Sequence, residues 1–264
     1  MDLQTQRLMM AAAGAGETKP YIDDVFSTYV YAGTSANRSI NNGMDMSSSG
    51  GGLTWIKKRT GSESNYLFDT DRGAGKYLQS NGNNAEGTNN DYLSAFNNNG
   101  FSLGDYNDVN GSGQDYVSWT FRKVPGFFDV VTYTGNGSNQ TISHSLGCTP
   151  GMMLVKSTST VEAWNVYHVG TDSSSPQNYK LTLNTTAARA SESDRWNNTA
   201  PTATQFTVGS SNEVNQNGTT YVAYLFAGGE STAATARSVD FDGTGDSLSF
   251  AASNDFHLSG DFTI

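Results

Sequence analysis

"FFDVVTYTGNGSNQTISHSL" (Phe127–Leu146) overlays "VFSTYVYAGTSANRSINNGM" (Val25–Met44) without a gap, pairing Tyr31 with Tyr133, Gly33 with Gly135 and Ile40 with Ile142. The offset is 102 residues (133 − 31) throughout. The similarity continues in order. "LTWIK" (Leu53–Lys57) lies on "MMLVK" (Met152–Lys156), "YLQSN" (Tyr77–Asn81) on "KLTLN" (Lys180–Asn184), and "GFSLG" (Gly100–Gly104) on "QFTVG" (Gln205–Gly209). It closes with "DYVSWTF" (Asp115–Phe121) on "TYVAYLF" (Thr220–Phe226), now at an offset of 105 (221 − 116). An ordered series whose offset drifts by a few residues is the mark of a repeated unit with turn insertions.

Within each copy, apolar and polar residues alternate between Gly-, Asn- and Ser-rich turns, the pattern of half-buried antiparallel strands. About a hundred residues per copy is the usual size of a seven- to nine-strand sandwich. The expected fold is therefore all-β, with tandem duplicated antiparallel β-sandwich units over 25–125 and 126–229. In the closing strands Val117, Trp119 and Phe121 form the expected inward face, repeated by Val222, Tyr224 and Phe226. Only "RKVPG" (Arg122–Gly126) joins the copies, too short for a flexible tether, so they are expected to pack closely.

The flanks differ from the repeat. Residues 230–237, in the small polar run "GGESTAATAR" (Gly228–Arg237), read as a linker. Residues 238–264, "SVDFDGTGDSLSFAASNDFHLSGDFTI", read as the first strands of a separate, truncated jelly-roll domain whose remainder is expected past Ile264. At the other end, residues 1–24 read as an attachment segment containing a short helix stopped by Gly14 and Gly16. Its apolar run Leu8–Ala13 is too short for a secretory core or a bilayer span. Leu3, Leu8, Met9 and Met10 are the residues expected to dock it on a partner.

The net charge of −10 and pI of 4.6 give a phosphate backbone nothing to bind, so nucleic acid is not an expected partner. Although there are 29 glycines, aromatics make up 11% of the chain and sit inside alternating runs, which fits turn-rich β-structure and not disorder. The single cysteine, Cys148, excludes an internal disulfide, and no basic neighbour in "SLGCTPG" lowers its pKa.

The ordered pattern GGLTWIKKR, DTDRG, YLQSN, GFSLG, YVSWTF, then PGFFDVVTYTGNGSNQTISHSLGCTPGMMLVK, WNVYH and YVAYLFAGG resembles a strand-rich module of tail-fibre and other virion proteins of marine, often cyanobacterial, tailed phages. The resemblance covers Val25–Gly229. The final segment resembles the opening strands of a concanavalin-A-like or laminin-G-like lectin domain. Together these imply a virion protein of the tail. Its N-terminal part would attach to a tail adaptor, nozzle or capsid protein, its assembly would be a homotrimer, and a C-terminal part would meet a host-surface glycan.

Motifs for chemistry are weak. "DFDGTGD" offers Asp240, Asp242 and Asp246, but the twelfth position of a calcium loop would be Ala251, so an Asp-Gly turn is the better reading. His144, His168 and His257 lack metal-ligand spacing. Ser143 and His144 point to opposite faces of a strand and cannot form a nucleophile-base pair. Asn42 occupies the place of His144 in copy one, which reads as a solvated polar position. Asp69 and Asp71 are candidate paired carboxylates, but "FDTDRG" reads as a turn in which Arg72 pairs with an acid. "GNGSNQ" (Gly135–Gln140) lacks the third glycine and the helix of a phosphate loop and reads as a hairpin turn. The sequons at Asn37, Asn139 and Asn184 read as turns. Trp55 and Trp119 lie in strands and are assigned to the core, whereas Trp164 and Trp196 lie in polar company and are the candidates for stacking on a glycan.

No cofactor, metal, membrane insertion or catalytic residue is therefore expected. The function expected is that of a tail fibre, the alternatives being a capsid decoration or head-fibre protein and a polysaccharide-degrading tailspike.

Overall fold

A computed structural model describes residues 22–47 and 51–229. The docking residues Leu3, Leu8, Met9 and Met10, the linker 230–237 and the jelly-roll segment 238–264 lie outside the described residues.

The first half contains β1 (Phe26–Ala32), β2 (Arg38–Asn41), β3 (Gly52–Lys58), β4 (Asn65–Asp69), β5 (Lys76–Gln79), β6 (Gly87–Thr88), β7 (Leu93–Asn97), β8 (Gly100–Leu103) and β9 (Asp115–Arg122). The second contains β10 (Phe128–Thr134), β11 (Gln140–Ser143), β12 (Pro150–Ser157), β13 (Asn165–His168), β14 (Tyr179–Thr182), β15 (Ala190–Ser191), β16 (Gln205–Val208) and β17 (Thr220–Ala227). The protein is all-β, and every strand pair is antiparallel. One six-stranded sheet runs β1-β9-β3-β4-β5-β6 and the other β10-β17-β12-β13-β14-β15, the same order in both halves. Smaller sheets, β2-β8-β7 and β11-β16, complete them.

The strand registers agree with both sequence offsets. Tyr31 faces Tyr116 across β1 and β9, and Tyr133 faces Tyr221 across β10 and β17. The rings stack at 5.2 Å in one half and 5.1 Å in the other, both at 16°. In both halves the buried hydroxyls satisfy a helical turn. Tyr31 Oη donates to Val109 O (2.8 Å) and Tyr133 Oη to Val214 O (2.7 Å), while Tyr116 and Tyr221 bond Asn107 O (2.5 Å) and Asn212 O (2.6 Å). Asn110 and Asn215 end those turns, each donating Nδ2 to a glycine carbonyl, Gly104 or Gly209, at 2.7 Å. Gly33 and Gly135 are required here, since a Cβ would sit 2.1 Å from Gly111 O and 2.3 Å from Gln216 O respectively.

Three cores separate the four sheets. Tyr31, Ile40, Ile56, Phe68, Phe101 and Tyr116 lie between the first large sheet and β2-β8-β7. Ile142, Val155, Tyr167, Phe206, Tyr221 and Leu225 lie between the second large sheet and β11-β16. The third joins the halves: Leu53, Leu67 and Leu78 meet Phe128, Leu154, Trp164, Val166 and Tyr224. Alternation along a strand thus feeds two cores, as in β17, where Tyr221, Ala223 and Leu225 face one and Val222 and Tyr224 the other. Residues 22–229 belong to one compact unit.

This arrangement corrects the inward face expected for β9. Tyr116, Ser118 and Thr120 are its buried residues and face the small sheet, while Val117, Trp119 and Phe121 are only half-buried, with Phe121 packed against the shared core. Both faces are covered, so alternation marked the face toward the other half. "GNGSNQ" is also not a hairpin turn, because β10 pairs with β17 and β11 with β16, and the segment crosses between sheets.

Candidate functional site

The turn after β4 fixes the polar part of the junction. Asp69, fully buried, accepts from the Arg72 backbone N–H (2.8 Å), Arg72 Nε (2.5 Å) and Tyr224 Oη (2.7 Å) of the other half. Arg72 also reaches Glu86 Oε2, Leu67 O and Tyr224 Oη, each at 3.1 Å. Burial opposes the Arg72 charge, yet Tyr224, Asp69 and Glu86 together hold its pKa above the ordinary value. Burial is also the largest cause keeping Tyr224 protonated, its pKa well above that of a free phenol. With Lys76 Nζ 3.5 Å from Glu86 the two carboxylates meet two cations, and the group is a charge-balanced staple between halves.

Two hollows flank it. One, of 470 Å³, is lined by Thr70, Lys123, Pro125, Phe128, Asp129 and Ser145 among others. There Lys123 Nζ lies 2.9 Å from Asp71 and 3.6 Å from Asp129, and Asp129 also accepts from the backbone N–H of Val130 (2.9 Å) and Ser145 (2.7 Å). The other, of 330 Å³, is lined by Arg72, Lys76, Glu86, Thr132, Thr158 and Thr220 with their neighbours. The carboxylates there are ion-paired, Asp71 and Asp129 to Lys123 and Glu86 to Arg72 and Lys76. Asp69 and Asp71 accordingly go to Arg72 and Lys123 and do not face each other across a substrate groove.

The tryptophans require a correction. Trp164 is 0% and Trp196 1% exposed, and neither face of either ring is open to a sugar. Their polar surroundings in sequence reflect indole N–H bonds, Trp164 to Gln79 O (2.9 Å) and Trp196 to Tyr179 O (3.0 Å). Trp55 and Trp119 are half-buried and meet edge-on at 6.2 Å, with Trp55 packed on the shared core.

His144 is also corrected. It is buried, as is Asn42, whose Nδ2 bonds Thr120 Oγ1 at 2.8 Å. His144 Nδ1 accepts from Leu146 N (3.3 Å), and burial is the main cause of its lowered pKa. Ser143 is exposed on the opposite face, as strand alternation requires. His168 is exposed and caps its own turn through Gly170 N. Cys148 is half-buried against the second core. Among the described residues no group of three or more His, Cys, Asp or Glu is placed to hold a metal, and no helix is long and apolar enough to cross a membrane.

The corner around Tyr92 and Arg195 differs between the halves, and the sequence reading missed it. Gly104 N donates to Tyr92 O and Gly209 N to Arg195 O, while Tyr106 N donates to Asp91 O and Ser211 N to Asp194 O, so these residues correspond. In the first half Tyr77, Tyr92 and Tyr106 stack successively at 4.7 and 4.2 Å, and Asp108 Oδ2 accepts from Tyr66 (2.5 Å) and Tyr92 (3.2 Å). Burial, reinforced by Asp108, pushes the Tyr66 pKa up to about 12. In the second half Arg195 pairs with Glu192 (2.7 Å), Asp194 (2.7 Å) and Glu213 (3.2 Å), and Lys180 with Glu213 (3.0 Å). The repeated "NDVN" and "NEVN" (Asn107–Asn110, Asn212–Asn215) were the signal that could have aligned them.

Fold and junction define a four-layered all-β protein whose two halves share a buried core. The chain belongs to the family described as "Domain of unknown function (DUF7483)", whose model matches residues 22–236 and so spans both halves. No curated protein and no solved structure matches it.

Proposed function

We propose that this protein is a structural component of a phage virion, the attachment and spacer part of a tail fibre leading to a host-binding domain, and that the two halves descend from one duplicated module. The resemblance of Val25–Gly229 to virion modules suggests the setting. The observation that carries the reading is the shared core: two six-stranded sheets closed face to face and stapled by Asp69, Arg72, Glu86 and Tyr224. A spacer that transmits force needs halves that do not hinge, and a large apolar interface with a satisfied polar staple supplies that. The acidic surface agrees with partners that are proteins or glycans and not nucleic acid.

Immunogold labelling of purified particles tests the proposal, with label expected along the tail. Label on the capsid would replace the tail reading with that of a decoration or head-fibre protein, and absence from particles would overturn both. Light scattering of the purified chain is expected to give a homotrimer. Incubation with host polysaccharide is expected to leave it intact, and released oligosaccharides would make the protein a tailspike enzyme.

A further inference from the structure

Tyr106 and Ser211 start equivalent helical turns with nearly the same backbone, φ/ψ of −65°/131° and −66°/138°. Ser211 caps its turn, its side chain accepting from Glu213 N at 3.3 Å. Tyr106 makes no side-chain cap bond, so the first half forgoes the stabilisation that serine gives at this position. Its ring instead packs on the core residue Tyr92, yet Tyr106 stays 39% exposed. The cap does not explain the tyrosine, and the core covers only part of it.

The ring is nevertheless held rigidly. Tyr92 stacks against it at 4.2 Å and 24°, and Tyr77 backs Tyr92. Asp108 anchors the Tyr92 hydroxyl, and the Tyr106 backbone is fixed by Asp91 O, Val109 N and Asn110 N. Asp105 and Asn107 flank it in sequence, Asp91 accepts its backbone N–H, and all three are exposed. The result is a preorganised single-ring platform with exposed acidic and amide residues beside it.

We propose that Tyr106 is a contact site for a neutral pyranose of a surface glycan, going beyond the structural role above. Polarised C–H groups of a sugar face meet the negative face of the ring, and its hydroxyls donate to the carboxylates beside it. Those same carboxylates, on a chain of net charge −10, repel acidic sugars and phosphates. A flat platform suits a flat sugar face, whereas a cation is better held by rings enclosing it from several sides.

The test is a printed array of neutral gluco-, galacto- and manno-oligosaccharides beside uronic-acid and lysine-rich peptide probes, read with the full-length chain. The wild type is expected to bind neutral probes, and Tyr106→Ser to lose at least about tenfold in affinity while its melting curve still shows a folded protein, the serine cap offsetting part of the lost contact with Tyr92. Ser211→Ala, which removes the cap of the other half, is expected to leave binding unchanged. The proposal fails if the wild type binds no neutral probe, if Tyr106→Ser binds equally well, or if the peptide is the preferred ligand. None of these outcomes depends on where the protein sits in a particle.

Discussion

Asp69→Asn tests whether the junction staple holds the halves together. The substitution keeps the shape of the side chain and removes the charge facing Arg72, whose side chain is 3% exposed. Breaking a buried pair by removing one partner costs about 3–5 kcal/mol, because the remaining ion stays desolvated. Glu86, 3.1 Å from Arg72 and itself 15% exposed, retains part of the compensation and sets the expectation at the lower end, about 3 kcal/mol. For a unit of roughly two hundred residues that corresponds to a fall of about 6–12 °C in Tm. Calorimetry of wild type, Asp69→Asn and Asp69→Asn with Arg72→Met measures it. The double variant removes the stranded ion and is expected to recover much of the loss. A fall below about 2 °C for the single variant, or a double variant no better than the single, would refute the reasoning.

Gly33→Ala and Gly135→Ala place a Cβ 2.1 and 2.3 Å from a carbonyl oxygen, and each is expected to cost about 1–3 kcal/mol in urea unfolding. Lys156 is fully buried, and burial, opposed by Glu162, lowers its pKa from 10.5 to about 8. A base with a depressed folded pKa makes wild-type stability rise as pH increases from about 8 to 10.5. Lys156→Met is therefore expected to be more stable than wild type at pH 7 and to lose that rise, as melting curves across the range will show. A fragment of residues 22–125 exposes Leu53, Leu67, Leu78 and Phe121 from the shared core and is expected to aggregate, whereas a soluble monomer in ultracentrifugation would show the junction dispensable.

The internal similarity was legible, since the offsets of 102 and 105 match Tyr31 to Tyr133 and Tyr116 to Tyr221. Which strands pair was not: that Tyr31 faces Tyr116 and Tyr133 faces Tyr221 is seen only in the structure. What each face of β9 touches was not legible, because Val117, Trp119 and Phe121 alternate in the same way whether they face their own small sheet or the other half. Trp164 and Trp196 misled for a related reason: polar neighbours in sequence mark the strand ends and turns where an indole N–H finds a carbonyl, not an exposed ring. Arg72 pairing with an acid was readable from "FDTDRG", but its bond to Tyr224 spans 152 residues and no local pattern carries it.

The divergent place between the halves shows why its two forms are not connected by single substitutions. An arginine at Tyr92 would meet Asp91 and Asp108, the counterparts of Asp194 and Glu213, but Asn89 stands where Glu192 pairs with Arg195. It would also remove the ring on which Tyr106 stacks. The reverse change, a tyrosine at Arg195, would leave Glu192 and Glu213 with Lys180 alone and take from Asp194 its pair with Arg195. Either step strands groups that the original residue satisfied, so contributions in each cluster are coupled and not additive. Both clusters close the same corner of a half, and the ionic one does so with a serine cap and no exposed ring. The serine cap of the ionic cluster has no counterpart in the aromatic one, where Tyr106 is instead held by its stack on Tyr92 and keeps part of its ring exposed.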